Sequence, residues 1–212
     1  APPTPRTVNG TGWPAVAGPV ELSRPGGLFQ APFTLTLTTT EPDAEIRYTL
    51  DGTVPTVASP RYTAPLNIDR TLRVRARTFA PNRAPGPVAG AAYSLVGPTA
   101  LNRSSNLPIV VLDTYGPGIQ ADVRTIGYAT ILEPLNGRTT LPGTVNVSSR
   151  ATFEVRGSSS AGFPKRSYGM ELRHEDESDR ALSVLGLPAE SDWVLYAPYT
   201  DKTLIRDVLA YE

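Results

Sequence analysis

RGSSSAGFPKRSYGMEL, residues 156–172, takes the chain from a donor-rich loop into a strand, and its neighbours on both sides repeat a strand rhythm. Arg156 opens a Gly-Ser-Ser-Ser run full of backbone N–H and hydroxyl groups, and Phe163-Pro164 leads into a strand expected to start at Lys165. Donors beside two cations suit an anion. Just upstream, TVNVSSRATFEVRG (144–157) sets Phe153 and Val155 against Thr152 and Glu154, the period of two that buries one face of a sheet. It predicts a third strand of its region, with room for a fourth.

Working outward, LPIVVLDT (107–114) predicts a buried strand over 109–112 ending at Asp113, and TIGYATILEP (125–134) predicts another, followed by a Leu135-Asn136-Gly137 turn. Downstream, HEDESDRALSVLGLP (174–188) reads as a charged, solvated loop and a short apolar stretch. Trp193-Val194-Leu195-Tyr196 then form a strand that runs into Pro198, and a helix is expected from near Thr200-Asp201. Leu204, Val208 and Tyr211 share one face of it, an apolar face that expects a partner surface. Asp201 stands at its start, where free N–H groups favour a carboxylate, and Asp207 lies on its surface.

The first half alternates in the same way. FTLTLT (33–38) places Phe33, Leu35 and Leu37 on one face, and EIRYTL (45–50) places Ile46, Tyr48 and Leu50 before the Asp51-Gly52 turn signal. LNI (66–68), TLRVRAR (71–77) and a last strand near 91–96 follow. In TLRVRAR, Leu72, Val74 and Ala76 point inward, and Arg73, Arg75 and Arg77 form a solvated row that is also a conceivable contact for acidic glycans. Turn signals every 8 to 12 residues or so with no helical period indicate an antiparallel sandwich. The fold class is therefore all-β in the main, in two tandem domains: an immunoglobulin-like antiparallel β-sandwich, then a β-rich domain ending in a helix. The boundaries are a Pro/Gly-rich extended segment at 1–18, the sandwich at 19–97, a polar linker at 98–106 and the second domain at 107–212. Trp13 is expected to tuck against the adjacent domain.

Composition narrows the function classes. Twenty basic and 20 acidic residues balance to zero, so no electrostatic footprint for nucleic acid is present. Without cysteine and with one histidine, His174, neither a disulfide framework nor a zinc site can be built, and a metal held by carboxylates would be Mg²⁺ or Ca²⁺. HEDESD (174–179) lacks the alternating order of a calcium loop, and His174 reads as a surface histidine. No apolar run approaches the ~18 residues of a membrane span, and APPTPRTVNG has no signal-peptide pattern, as expected of a mature or excised segment. The Asn-x-Ser/Thr sequons at Asn9, Asn102 and Asn146 would matter only in a eukaryotic secretory pathway and read as coincidence.

Two resemblances rest on these words. PGGLFQAPFTLTL (25–37), IRYTLDGTVPT (46–56), YTAPL (62–66) and TLRVRARTF (71–79) resemble the chitobiase/β-hexosaminidase C-terminal type of domain over about residues 19–96. That resemblance implies an immunoglobulin-like accessory module without catalytic residues, at home in secreted bacterial proteins. Asp51 and Thr53 then belong to plain turn chemistry. RGSSS with FPKRSY (156–168), and SDWVLYAPYTDKTLIRDVLAYE (191–212), resemble the N-terminal part of the CotH kinase family, atypical kinases named for a spore-coat protein, over about 107–212.

The second resemblance implies a nucleotide phosphate site. It places Arg156, Gly157, Ser158 and Ser159 on the family's RGxSS loop and Lys165 on its FPKxSY lysine. By analogy with other kinases Lys165 would hold phosphate oxygens and pair with a carboxylate on the following helix, Glu212. Arg166 and Ser160 depart from the family pattern. The sequence stops at Glu212, before the family's acidic metal-binding and catalytic segments, so no catalytic residue, metal site or cofactor is expected in these residues, and ATP with Mg²⁺ would belong to a longer parent.

Three functions stay open at this point. The chain can be a secreted or cell-surface bacterial fragment with a binding or structural role, its second domain derived from a CotH-type kinase; the N-terminal piece of an active secreted kinase transferring phosphate from ATP to Ser/Thr; or a subunit of an extracellular filament built by β-strand addition. The partners expected are other domains of the same protein, neighbouring subunits or a glycan, with no nucleic acid and no membrane span.

Overall fold

A computed structural model describes residues 12–101, 103–201 and 203 of the chain. Its contacts divide into two compact units, Ala1–Gly26 with Ala31–Tyr93, and Gly27–Gln30 with Ser94–Glu212.

In chain order the first eight strands are β1 (Glu21–Leu22), β2 (Gly27–Phe29), β3 (Phe33–Leu35), β4 (Leu37–Thr38), β5 (Glu45–Thr49), β6 (Leu66–Ile68), β7 (Leu72–Phe79) and β8 (Ala89–Leu95). Within the first unit β5, β7 and β8 pair antiparallel, with Ile46 opposite Thr78 and Val74 opposite Ala91. β3 pairs with β6, and β4 with β1. The alternation read from FTLTLT holds, since Leu35 and Leu37 are buried and Thr34 and Thr38 exposed. The run is two strands, however. At Thr36 the backbone turns to Ser23, accepting its N–H at 3.0 Å and donating to its Oγ at 2.9 Å, so the chain changes partner from β6 to β1.

Leu35, Ile68, Val74 and Ala76 are wholly buried, and each of the larger ones contributes about 1.5–3 kcal/mol by leaving water. Tyr93 sits among them at 1% exposure. Its hydroxyl donates to the Arg24 carbonyl at 2.6 Å and its ring meets Phe33 edge-on at 5.2 Å, which satisfies its one polar atom. Burial pushes the phenol's pKa well above its ordinary value.

The arginine row of β7 departs from the expected solvated face. Arg75 is 2% exposed, and its Nη1 donates to the Gly52 carbonyl at 3.2 Å. Arg77 donates through Nε to Gly86 O and through Nη2 to Pro85 O, the latter at 3.3 Å. Loops close over this face, and their carbonyls need donors that the sheet no longer supplies. Asp51 behaves as a turn residue, accepting both the N–H (2.9 Å) and the hydroxyl (2.7 Å) of Thr53. Those bonds hold its carboxyl below the usual range. Trp13 corrects the sequence reading, being 63% exposed. Just past it, Ala15 O accepts from Ala84 N–H and Ala17 N–H donates to Ala84 O.

The second unit continues with a single helical turn, α1 (Pro98–Leu101), then β9 (Ser104–Ser105), β10 (Ile109–Asp113), β11 (Thr125–Leu132), β12 (Thr139–Thr140), β13 (Val145–Arg156), a short 3₁₀ turn (Ser159–Gly162), β14 (Ser167–Arg173) and β15 (Asp192–Leu195). Five strands form one antiparallel sheet in the order β10-β11-β13-β14-β15, and β9 pairs with β12. The one or two strands expected over 144–157 are a single 12-residue β13, because no glycine or proline interrupts it between Val145 and Arg156. It holds β11 along its first part and β14 along its second. Ile109–Asp113 is not the buried strand expected but an edge, with Val110 39% exposed. The turn at Asn136-Gly137 is present, both residues at positive φ and Leu135 bridged to Arg138.

One face of the sheet carries the core: Ala129, Ile131, Val147, Ala151, Phe153, Met170 and Leu172, with Val184 from the 174–188 segment closing it. Trp193 and Leu195 pack against it from β15. Gly127 makes room for the Phe153 ring, because a Cβ there would lie 2.8 Å from Phe153 Cε2 and 2.3 Å from Asp113 O. Asp201 is 7% exposed and accepts the N–H (3.0 Å) and hydroxyl (2.6 Å) of Thr203. The helix expected beyond it, with Leu204, Val208, Tyr211 and Glu212, lies outside the described residues.

Candidate functional site

The loop singled out from sequence joins β13 to β14 across the pair Arg156–Ser167. Its first step needs glycine. Gly157 has φ +97°, and a Cβ there would fall 1.9 Å from Ser160 Oγ, so the serine hydroxyl occupies the space over it. Ser158 follows with φ −78° and ψ −83° and no side-chain cap, then the 3₁₀ turn closes as Phe163 N–H donates to Ser160 O at 3.1 Å. The strand begins at Ser167, two residues later than expected, so Lys165 belongs to the loop and not to the ladder. Pro164 just before it has no N–H to give one.

Two contacts fix the loop from the side of the β15 tail. Phe163 and Tyr199 pack ring to ring at 5.1 Å, tilted by 35°, and Ala197 N–H donates to Ser167 Oγ at 3.0 Å. On this braced loop Arg156, Ser158, Lys165 and Arg166 are exposed. Among the described residues the side chain of neither Arg156 nor Lys165 has an ion-pair or hydrogen-bond partner. Two cations left in water on a positioned loop can take up an anion without first breaking a salt bridge.

Arg156 also borders a cleft of about 120 Å³ on the outer face of the sheet, between β13, β14 and β15. The cleft exists because Gly169 carries no side chain: a Cβ there would lie 3.3 Å from Glu154 Cγ and 3.4 Å from Arg156 Cδ. Glu171, Asp192, Val194 and Arg124 complete the wall. Glu171 is held by Arg173 at 2.6 Å and by Arg124. Partial burial raises the pKa of Glu171, but its hydrogen bond and charge interaction with Arg173, helped by Arg124 and Thr152, outweigh this and keep it lowered. The structure thus gathers Arg156 with Glu154 and Glu171. Ser158 and Lys165 do not line this cleft; of Ser159 only the backbone is described, and Glu212 lies outside the described residues.

Five of the six residues of the HEDESD segment are exposed, as expected of a solvated loop, but the segment is also tied to the sheet. Tyr128 OH donates to Glu175, Arg150 Nη2 meets Glu177 Oε1 at 2.5 Å, and Arg173 pairs with Asp179 at 3.8 Å. The cause is Arg150, only 4% exposed and directly opposite Arg173 in the ladder, so two like charges need carboxylates above them. Burial, with the adjacent Glu175 charge and hydrogen bond, drives the Tyr128 phenol far above its usual pKa. His174 is exposed, as read. Sequence reasoning passed over Arg150, Glu154 and Glu171. Their signal was a charged residue at alternate outward positions of two adjoining strands.

Among the described residues no three carboxylate or imidazole groups converge as a metal site, and Glu171 is already committed to two arginines. The described residues of this cleft therefore do not fit Mg²⁺.

Residues 24–89 match the family model described as chitobiase/beta-hexosaminidase C-terminal domain, and residues 153–212 match the model described as CotH kinase protein. The second match is narrower than the resemblance read over 107–212 and begins at Phe153, in the strand that ends at Arg156. No curated protein and no solved structure matches the chain. No described helix is long and apolar enough to cross a membrane. The chain is accordingly a multidomain β protein in which a segment similar to the chitobiase/beta-hexosaminidase C-terminal domain precedes one similar to CotH kinase protein.

Proposed function

We propose that the loop of residues 156–166 grips the phosphate groups of a nucleotide, as the binding element of a CotH-related domain in a secreted or cell-surface bacterial protein. The first unit serves it as a non-catalytic accessory module. The observation that carries the reading is the pair Arg156 and Lys165, unpartnered cations on a loop that Gly157, Phe163 and Tyr199 hold in place. A charge-assisted hydrogen bond to phosphate is worth about 1.5–3 kcal/mol, so each cation accounts for roughly a tenfold or greater share of affinity. Binding is what these residues do. ATP is the substrate that the CotH similarity points to, and phosphoryl transfer to Ser/Thr by a longer parent extends the same reading.

A thermal-shift titration tests it. ATP at several millimolar should raise the melting temperature, and Arg156→Ala and Lys165→Ala should each cut the rise. No rise at that concentration contradicts the reading. A second reading, assembly of copies by strand addition into a filament, draws on the open outer edge of β10.

A further inference from the structure

Sheet edges are usually blunted by lysine, proline, a bulge or a covering loop, because their free N–H and C=O groups recruit other strands. β10 has none of these. Its five residues read Ile-Val-Val-Leu-Asp, with the only charge at the end, and its pairing with β11 runs from Ile109–Leu132 to Asp113–Tyr128 without a bulge in β10. In an antiparallel pair alternate residues turn their polar backbone groups away from the partner, so two or three residues of β10 face outward. Among the described residues no backbone hydrogen bond reaches them from that side.

Beside this edge lies a groove of about 770 Å³, lined by residues 109–112 on one side and by Arg103, Ser104, Ser105 and Leu141 on the other. The far wall is fixed. β9 pairs with β12, Leu107 N–H donates to Ser105 Oγ at 2.9 Å, and Thr139 Oγ1 donates to Leu107 O at 2.8 Å. A groove with an apolar strand edge along one wall fits one extended chain, bound by backbone hydrogen bonds.

We propose that the outer edge of β10 receives residues 6–11 of a second copy as an added antiparallel strand. This rests on the assembly reading above and names its two surfaces. Residues 1–11 fall outside the described chain and begin with Pro2, Pro3 and Pro5, which a central strand would exclude but an added edge strand tolerates. The proline-free remainder, Arg-Thr-Val-Asn-Gly-Thr, spans about 20 Å when extended, against about 17 Å for β10. Antiparallel pairing with Arg6 opposite Asp113 sets cation against carboxylate and brings Val8 to Val111. The described chain resumes at Gly12 with Trp13 and Val16 63% and 60% exposed, apolar side chains left uncovered at the root of the donor. Since every copy carries one donor and one acceptor edge, the contact propagates from copy to copy.

The cysteine-free chain makes the test clean. Val8→Cys in one preparation and Val111→Cys in another, mixed under mild oxidation, should give a disulfide-linked dimer, and Val110→Lys on the acceptor should reduce its yield at least tenfold. Sedimentation velocity at the same concentrations should show association that deletion of residues 1–11 abolishes. Association without the cross-link, unchanged by the deletion and by Val110→Lys, overturns these surfaces and leaves assembly standing. A cross-link formed only within the doubly substituted single chain shows the segment folding back on its own β10 and overturns the second copy as occupant. A monomer at millimolar concentration with no cross-link overturns both the inference and the assembly reading.

Discussion

Two strands of this protein carry arginines at outward positions, and they use them in opposite ways. On β7 the guanidiniums of Arg75 and Arg77 are spent on carbonyls of Gly52, Pro85 and Gly86, and Arg75 is buried. On β13 the usage changes along one strand. Arg150 is buried against Glu177, and six residues on, Arg156 stands exposed with no partner. An arginine inside a completed network reports on folding. One left without a partner on a braced loop reports on a ligand. Side-chain type and spacing are alike in the two rows, so only the partners distinguish them.

Stability measurements can break that contrast. The reference is Phe153→Ala, which empties a core position of 1% exposure and should cost about 3–5 kcal/mol in a denaturant titration. Arg150→Ala should come next, at about 2–3 kcal/mol, because it uncovers Arg173 and Glu177, although the half-exposed Glu177 recovers hydration. Arg156→Ala should lie within about 0.5 kcal/mol of the parent. A cost at Arg156 equal to that at Arg150 would show that it, too, is structural.

Much of this was legible in the sequence, and the misses share one cause. Period-two alternation located β3 with β4, β5, β7 and β13, since burial on one face is a local pattern. Asp51-Gly52 and Asn136-Gly137 signalled turns through their own chemistry. Loop coverage was not legible. Arg75 looked solvated because the loops that lie over it are remote in sequence, and the ties of the exposed HEDESD loop were hidden because its partners Tyr128 and Arg150 are in other strands. Burial of β10 was overread for a similar reason, because an apolar run does not say whether one neighbour or two will flank it. At the loop, Arg156 and Gly157 were found from their types, but the cleft beside them comes from Gly169 across the ladder, which no spacing within 156–165 encodes.

Smaller effects sharpen the account of the loop and the cleft. Gly157→Ala combines a left-handed backbone with a collision at Ser160 Oγ and should cost about 1–2 kcal/mol while lowering ligand affinity, read by melting and titration together. Glu171 has a folded pKa below its unfolded value. Its stabilisation is therefore complete above the unfolded pKa of about 4.3 and is lost as pH falls through the folded value. Glu171→Gln should flatten the stability profile below about pH 4.5 and change little at pH 7. An unchanged acid limb would show that Arg173 and Arg124 do not act on this carboxylate.

The most direct test of the central claim is a calorimetric titration of the chain with ATP, ADP, AMP and adenosine. Affinity should fall as phosphates are removed, and Arg156→Ala should weaken ATP about tenfold or more while leaving the folded state intact. Equal affinity for ATP and adenosine, or an Arg156→Ala variant that binds ATP as well as the parent, would contradict a phosphate-gripping role for the loop.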